Sequence, residues 1–164
     1  MQNNIYKINS SVFLLRISFF LIILLWVFGF ATPIIFSNSN STIILYPLLH
    51  KFYSSVCHQL DYKSFSLLGS HAHVCARCSG IYLGVLIFSA LSIFYVKQKH
   101  IDIKFLYIGA IILLIDVLFQ SMHIVPYLKI SAFLTGLIFG LTVFVFFLSA
   151  VENHFLFNKT KILI

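Results

Sequence analysis

Four long apolar stretches, separated by short polar ones, set the pattern of this chain. The first runs from Val12 to Phe36 and contains FFLIILLWVFGFATPIIF; the others run from Cys78 to Val96, from Lys104 to Ser121 and from Ile130 to Val151. Crossing the hydrocarbon core of a bilayer takes about 20 helical residues, so each stretch predicts a transmembrane helix. Gly29, Pro33, Gly84, Gly109 and Gly140 lie inside these stretches without arguing against helix, because neighbouring helices in lipid re-satisfy the backbone. The first stretch is too long for the apolar region of a signal peptide and lacks a small-x-small cleavage site, so it reads as a retained anchor.

Between the first two stretches lies the longest loop, residues 37–77. It opens with the polar run SNSNST and continues as IILYPLLHKFYSSVCHQL, which is too mixed to span. Ile44, Leu48, Phe52 and Val56 recur at helical spacing, which predicts a helix lying in the membrane interface. The expected fold is therefore an all-α integral membrane protein, a single domain over residues 1–164. It has four transmembrane helices at about 12–36, 78–96, 104–121 and 130–151, with an extracytoplasmic interfacial helix between the first and second.

Composition fixes the surroundings. The 164 residues are 60% hydrophobic, 17% aromatic and only 9% charged, with a mean hydropathy of +1.02. Soluble domains carry about 25% charged residues, so a water-exposed globule is excluded, as is disorder. The partner implied throughout is the lipid bilayer. A net charge of +7 would suggest nucleic acid in a soluble protein, but the bases here stand singly between apolar runs, and nucleic acid is excluded as a partner. They instead report orientation. Lys7, Arg16, Lys97, Lys99, Lys104, Lys159 and Lys161 fall on the side of the termini, against Lys51, Lys63, Arg77 and Lys129 on the other. Positive-inside reasoning makes this a multi-pass protein of the cell membrane with both termini in the cytoplasm.

The chemistry gathers in and beside the long loop. All three cysteines are there, in CHQ (57–59) and HAHVCARCSG (71–80), and so are His50, His58, His71, His73 and, near the same surface, His123. A C-x-x-C pair holds two sulfurs close enough for one metal ion, and a distant Cys and His can complete four ligands. The candidate set is Cys57, His58, Cys75 and Cys78. Adjacent ligands on one ion are awkward, so His71 or His73 can stand in for His58. Thiolate with imidazole favours zinc or another thiophilic transition metal. The same pair fits thiol–disulfide exchange, and the three cysteines also fit ordinary small apolar packing.

A second group lies at membrane depth. Asp116 is the one carboxylate in the middle of a predicted span; Gln120 and His123 follow at i+4 and i+7 on the same helix face, and Arg77 enters from the surface they approach. The stripe reads either as a clasp between helices or as a proton, ion or substrate path, and its outward continuation through Gln120 and His123 favours the path. Gly80–Gly84 and Gly136–Gly140 are both GxxxG, a spacing that lets helix backbones approach closely.

Taken together, Cys57-His58-Gln59, the run from Cys75 through Arg77, Cys78 and Gly80 to Gly84, Asp116 with Gln120, and Thr135-Gly136 with Gly140 resemble the signature of DUF2085, a small polytopic membrane protein family of unknown function. The resemblance covers residues 45–145. Val117 and Lys129 depart from it, standing where the family pattern has a Gly after the Asp and an Arg shortly before the Thr-Gly pair. The resemblance implies that these residues belong together and supplies no activity. Three functions stay open: a membrane protein with a Cys/His metal site coupled to the intramembrane stripe; a thiol–disulfide oxidoreductase, with quinone as its cofactor; and a non-catalytic assembly subunit. A homo-oligomer or a membrane partner protein is compatible with each.

Overall fold

A computed structural model describes residues 10–35, 42–67, 70–94, 102–122 and 125–161. Helix α1 spans Ser10–Ile35, α2 Thr42–Ser54, α3 Ala76–Phe94, α4 Lys104–Ser121 and α5 Lys129–Lys161. Helices α1, α3, α4 and α5 are long and apolar enough to cross a membrane. The expected class, a helical membrane protein with a further helix between its first and second spans, holds. The outward faces are those of a lipid-solvated bundle: Leu14, Ile22, Leu25, Leu91, Phe105, Ile111 and Ile130 are all exposed, an arrangement water would not tolerate over so large a surface.

The centre is the α3–α5 pair, with α1 and α4 on its flanks. Little hydrophobic driving force operates between helices in lipid, so packing depends on close backbone approach. Gly80 and Gly84 of α3 lie against the carbonyls of Phe133 and Leu137, and Gly136 and Gly140 of α5 lie against those of Arg77 and Ile81. The contacts are reciprocal and made by backbone, which cannot rotate away. Gly140→Ala is therefore expected to destabilise the protein by about 1–3 kcal/mol, read as a lowered unfolding midpoint in detergent. Gly109, facing the movable side chain of Thr142, should tolerate Ala better. Equal midpoints for Gly140→Ala and the unaltered protein would contradict the interlocked pair.

The end of the bundle away from the loop is tied by charge. Arg16 of α1 donates through Nε to Glu152 Oε1 of α5 (2.6 Å), through Nη2 to Glu152 Oε2 (3.0 Å), and through Nη1 to the carbonyl of Ser92 near the end of α3. Arg16 and Glu152 are both buried. A residue that composition counts as a loop base is thus held inside the bundle by a two-bond fork, the geometry that suits guanidinium and carboxylate.

At the opposite end the long loop contains an element that sequence periodicity did not reveal. A 3-10 turn at Asp61–Lys63 leads into β1 (Ser64–Leu67), which pairs antiparallel with β2 (Ser70–Cys75). The register runs Ser64 to Cys75, Ser66 to His71 and Leu67 to Ser70, with a bulge between Ser64 and Ser66. Ala72, His73 and Val74 are buried in succession, because β2 lies against both α1 and α2. A strand covered on both faces shows no alternation, which is why the pattern was silent.

Candidate metal centre

Each cysteine is placed by a different local device. Beyond α2 the amides of Val56 and Cys57 still bond the Tyr53 carbonyl (3.1 and 3.0 Å), so the chain turns tightly and tucks Cys57 inward, where it is buried. Gln59 follows with φ of 49°, a left-handed conformation costly to a residue with a Cβ. Its side-chain amide donates to the carbonyls of His50 (2.9 Å) and His73 (2.8 Å), offsetting that strain and fastening the end of α2 to β2. Cys75 is the last residue of β2 and Cys78 lies in the first turn of α3.

The result is a triad. The sulfurs of Cys57, Cys75 and Cys78 all lie within 4.8 Å of one another, and none is in a disulfide. Sulfurs about 2.3 Å from a tetrahedral zinc stand about 3.8 Å apart, so the three are spaced for a single ion. The Cys75 amide donates to Cys57 Sγ (3.2 Å), and the N-terminus of α3 adds its partial positive charge beside the thiols. Hydrogen bonds from the Cys75 and Cys78 side chains hold the Cys57 thiol far below its ordinary range, while the bond to Cys57 raises Cys75. Of the two loop thiols, Cys57 thus ionises before Cys75. A metal ion would replace the thiol protons. Cys57 belongs to a buried cluster with Phe30, Tyr53 and Val74, and Trp26 and Tyr82 pack against it, so water is largely kept away.

The histidines divide. His58 is exposed, and among the described residues no imidazole nitrogen joins the sulfur group. His73 is buried, stacked on Tyr53 (5.9 Å between centroids) and close to Tyr46 and His50, with neither ring nitrogen hydrogen-bonded. Desolvation, with His50 adding to it, lowers its pKa to about 4, so it is neutral near pH 7. His71 is half-buried with Nδ1 unpartnered. His123 lies outside the described residues.

Directly beneath the triad, Arg77 (the residue between Cys75 and Cys78 that follows Ala76) turns into the bundle. Its Nη2 donates to Asp116 Oδ2 (2.7 Å) and Gln120 Oε1 (2.6 Å). Gln120 Nε2 and Ser131 Oγ donate to Asp116 Oδ1 (2.8 and 2.9 Å), and Thr135 Oγ1 donates to Oδ2 (3.2 Å). The carboxylate is therefore met by donors from α3, α4 and α5, the Thr135 hydroxyl sharing its one proton with the carbonyls of Ser131 (3.1 Å) and Ala132 (3.2 Å). This is the geometry of a clasp. Sequence reasoning did not single out Ser131, though its i+4 spacing to Thr135 was a usable signal; Gln59 stood in the family signature, but its role rests on a backbone conformation that no residue pattern announces.

Residues 57–146 match the model of a family described as predicted membrane protein, DUF2085. Among curated proteins, the uncharacterized protein MJ1492 of Methanocaldococcus jannaschii is 34% identical over 116 residues, covering 69% of this chain and 74% of the relative. No solved structure matches.

Proposed function

We propose that this chain, which belongs to the DUF2085 family of predicted membrane proteins, holds one thiophilic metal ion, zinc foremost, through Cys57, Cys75 and Cys78. The observation that carries this reading is the convergence of three free sulfurs within 4.8 Å from a loop, a strand end and a helix start. Thiolate donors select zinc or Cu(I) over magnesium or calcium. The fourth position falls to His58, beside Cys57 in the chain, or to a water, which would leave the ion open to a small ligand. The coupling to the membrane interior is positional: Arg77 anchors the first turn of α3 to Asp116, Gln120 and α5, and so fixes where Cys75 and Cys78 stand. The base count supports an extracytoplasmic position for this centre at the cell membrane, with both termini cytoplasmic.

Cobalt substitution tests the reading. Reduced, full-length protein loaded with Co(II) should show a thiolate-to-cobalt charge-transfer band that weakens with each Cys→Ser replacement. Thiolates must lose their protons to bind, so the band should fade as pH is lowered. A weakened band in His58→Ala assigns the fourth ligand to imidazole; an unchanged one assigns it to water. Reduced protein that shows no such band contradicts the metal reading.

One observation favours a second reading. A C-x-x-C pair at a helix N-terminus, with a hydrogen-bonded third thiol beside it, also suits thiol–disulfide exchange. There Cys57 would carry the mixed disulfide, and oxidation of Cys75 and Cys78 would pass two electrons and two protons to a quinone. Isolation of the protein with a Cys75–Cys78 disulfide and no metal would support it.

A further inference from the structure

Two cavities flank the Arg77–Asp116–Gln120 cluster, and the metal reading uses neither. One, of about 520 Å³, lies at the hairpin end and is lined by Tyr62, Lys63, Arg77, Gln120, Ser121 and Tyr127 among others. The second, of about 320 Å³, runs between α4 and α5, with Ile112, Ile115, Phe119 and Leu128 as apolar walls and Asp116, Ser131 and Thr135 along its polar edge. They share Gln120, Val125 and Pro126 and so adjoin.

The two halves differ in character. In the first, the Lys63 ammonium sits 5.3 Å from the ring centroids of both Tyr62 and Tyr127, and the Arg77 guanidinium lies 6.0 Å from that of Tyr127. Asp116 neutralises Arg77; among the described residues no carboxylate lies within ion-pair distance of Lys63. Lys129 stands nearby, donating to the Ser64 carbonyl (2.7 Å). The cavity therefore has a positive charge without a counter-ion. The Tyr127 hydroxyl also has no protein partner. In the second half Ile115, Phe119 and Leu128 are exposed (47, 48 and 54%) on faces that, in a spanning bundle, meet acyl chains.

A positive, aromatic-lined compartment at the hairpin end of the bundle, adjoining an apolar one open to lipid, is the shape of a site for an amphiphile. We infer that the two adjoining compartments together bind an anionic amphiphile with a phosphate head, the head at Lys63 and Tyr127 and the tail along α4 beside Ile115 and Phe119. Soluble phosphate offers the same head chemistry, and the test separates the two.

Full-length protein reconstituted in phosphatidylcholine containing a minor share of phosphatidylglycerol would be released and weighed by native mass spectrometry. Retained phosphatidylglycerol in preference to phosphatidylcholine is expected. Lys63→Gln should weaken retention about fivefold, the worth of one interfacial cation, and Ile115→Trp, which fills the tail compartment from a lipid-exposed position, should weaken it without altering the head contacts. Unchanged unfolding midpoints show that both variants remain folded. Inorganic phosphate alone should not displace the lipid. Displacement by phosphate with no effect of Ile115→Trp would assign the site to a soluble anion and overturn the proposal, as would equal retention of the two lipids in all three proteins.

Discussion

Asp116→Asn is expected to destabilise the protein by about 3–5 kcal/mol, the usual loss when one partner of a buried ion pair is removed, and removal of Arg77 in the same chain should return part of that loss. The carboxylate and the guanidinium are only 10% and 20% exposed at 2.7 Å separation. Asn keeps one oxygen but loses the charge, and its amide presents donors where Arg77 and Gln120, Ser131 and Thr135 also donate. The Arg77 charge is then left in a poorly solvating place. Arg77→Met with Asp116→Asn relieves it, so the double variant should be more stable than the sum of the single losses implies, a coupling that a double-mutant cycle measures. The sequence alone tilted towards a proton or ion path along Asp116, Gln120 and His123. Four donors closing on one carboxylate favour a clasp. A near-unaltered midpoint for Asp116→Asn, with no coupling to Arg77, would return the argument to the path.

The second large effect concerns the thiols. Cys75→Ser with Cys78→Ser is expected to abolish metal binding and to loosen the corner where β2 meets α3. An ion bound only to the folded state stabilises it by about 4 kcal/mol at a thousandfold excess over its dissociation constant. The unfolding midpoint of the unaltered protein should therefore drop on chelation, and that of the double variant should not respond. A midpoint insensitive to chelator in both proteins contradicts a resident ion.

What could be read from sequence follows from which forces act locally. The four spans are visible because lipid demands long runs of apolar residues, and Asp116 with Gln120 stands out because ionisable residues at that depth are rare. The two GxxxG pairs were visible by spacing, although their mutual interlock at Arg77, Ile81, Phe133 and Leu137 required the fold. The hairpin escaped because β2 is buried on both faces and its register is bulged. The Arg16–Glu152 fork joins positions 136 residues apart, and no local pattern pairs them. Cys57 could be grouped with Cys75 and Cys78 on chemical grounds. What brings it there, the tight turn onto the Tyr53 carbonyl followed by the left-handed residue Gln59 with its bonds to α2 and β2, is a property of the folded chain.

The central claim is that the three sulfurs share one ion. The most direct measurement is elemental analysis of full-length protein purified without chelator, paired with a thiol count under non-reducing, denaturing conditions before and after chelation. The account predicts one zinc, or another thiophilic metal, per chain, and all three cysteines titrating as free thiols once the ion is removed. Metal-free protein in which only one thiol titrates would contradict it, and would show that two of the three cysteines are joined in a disulfide.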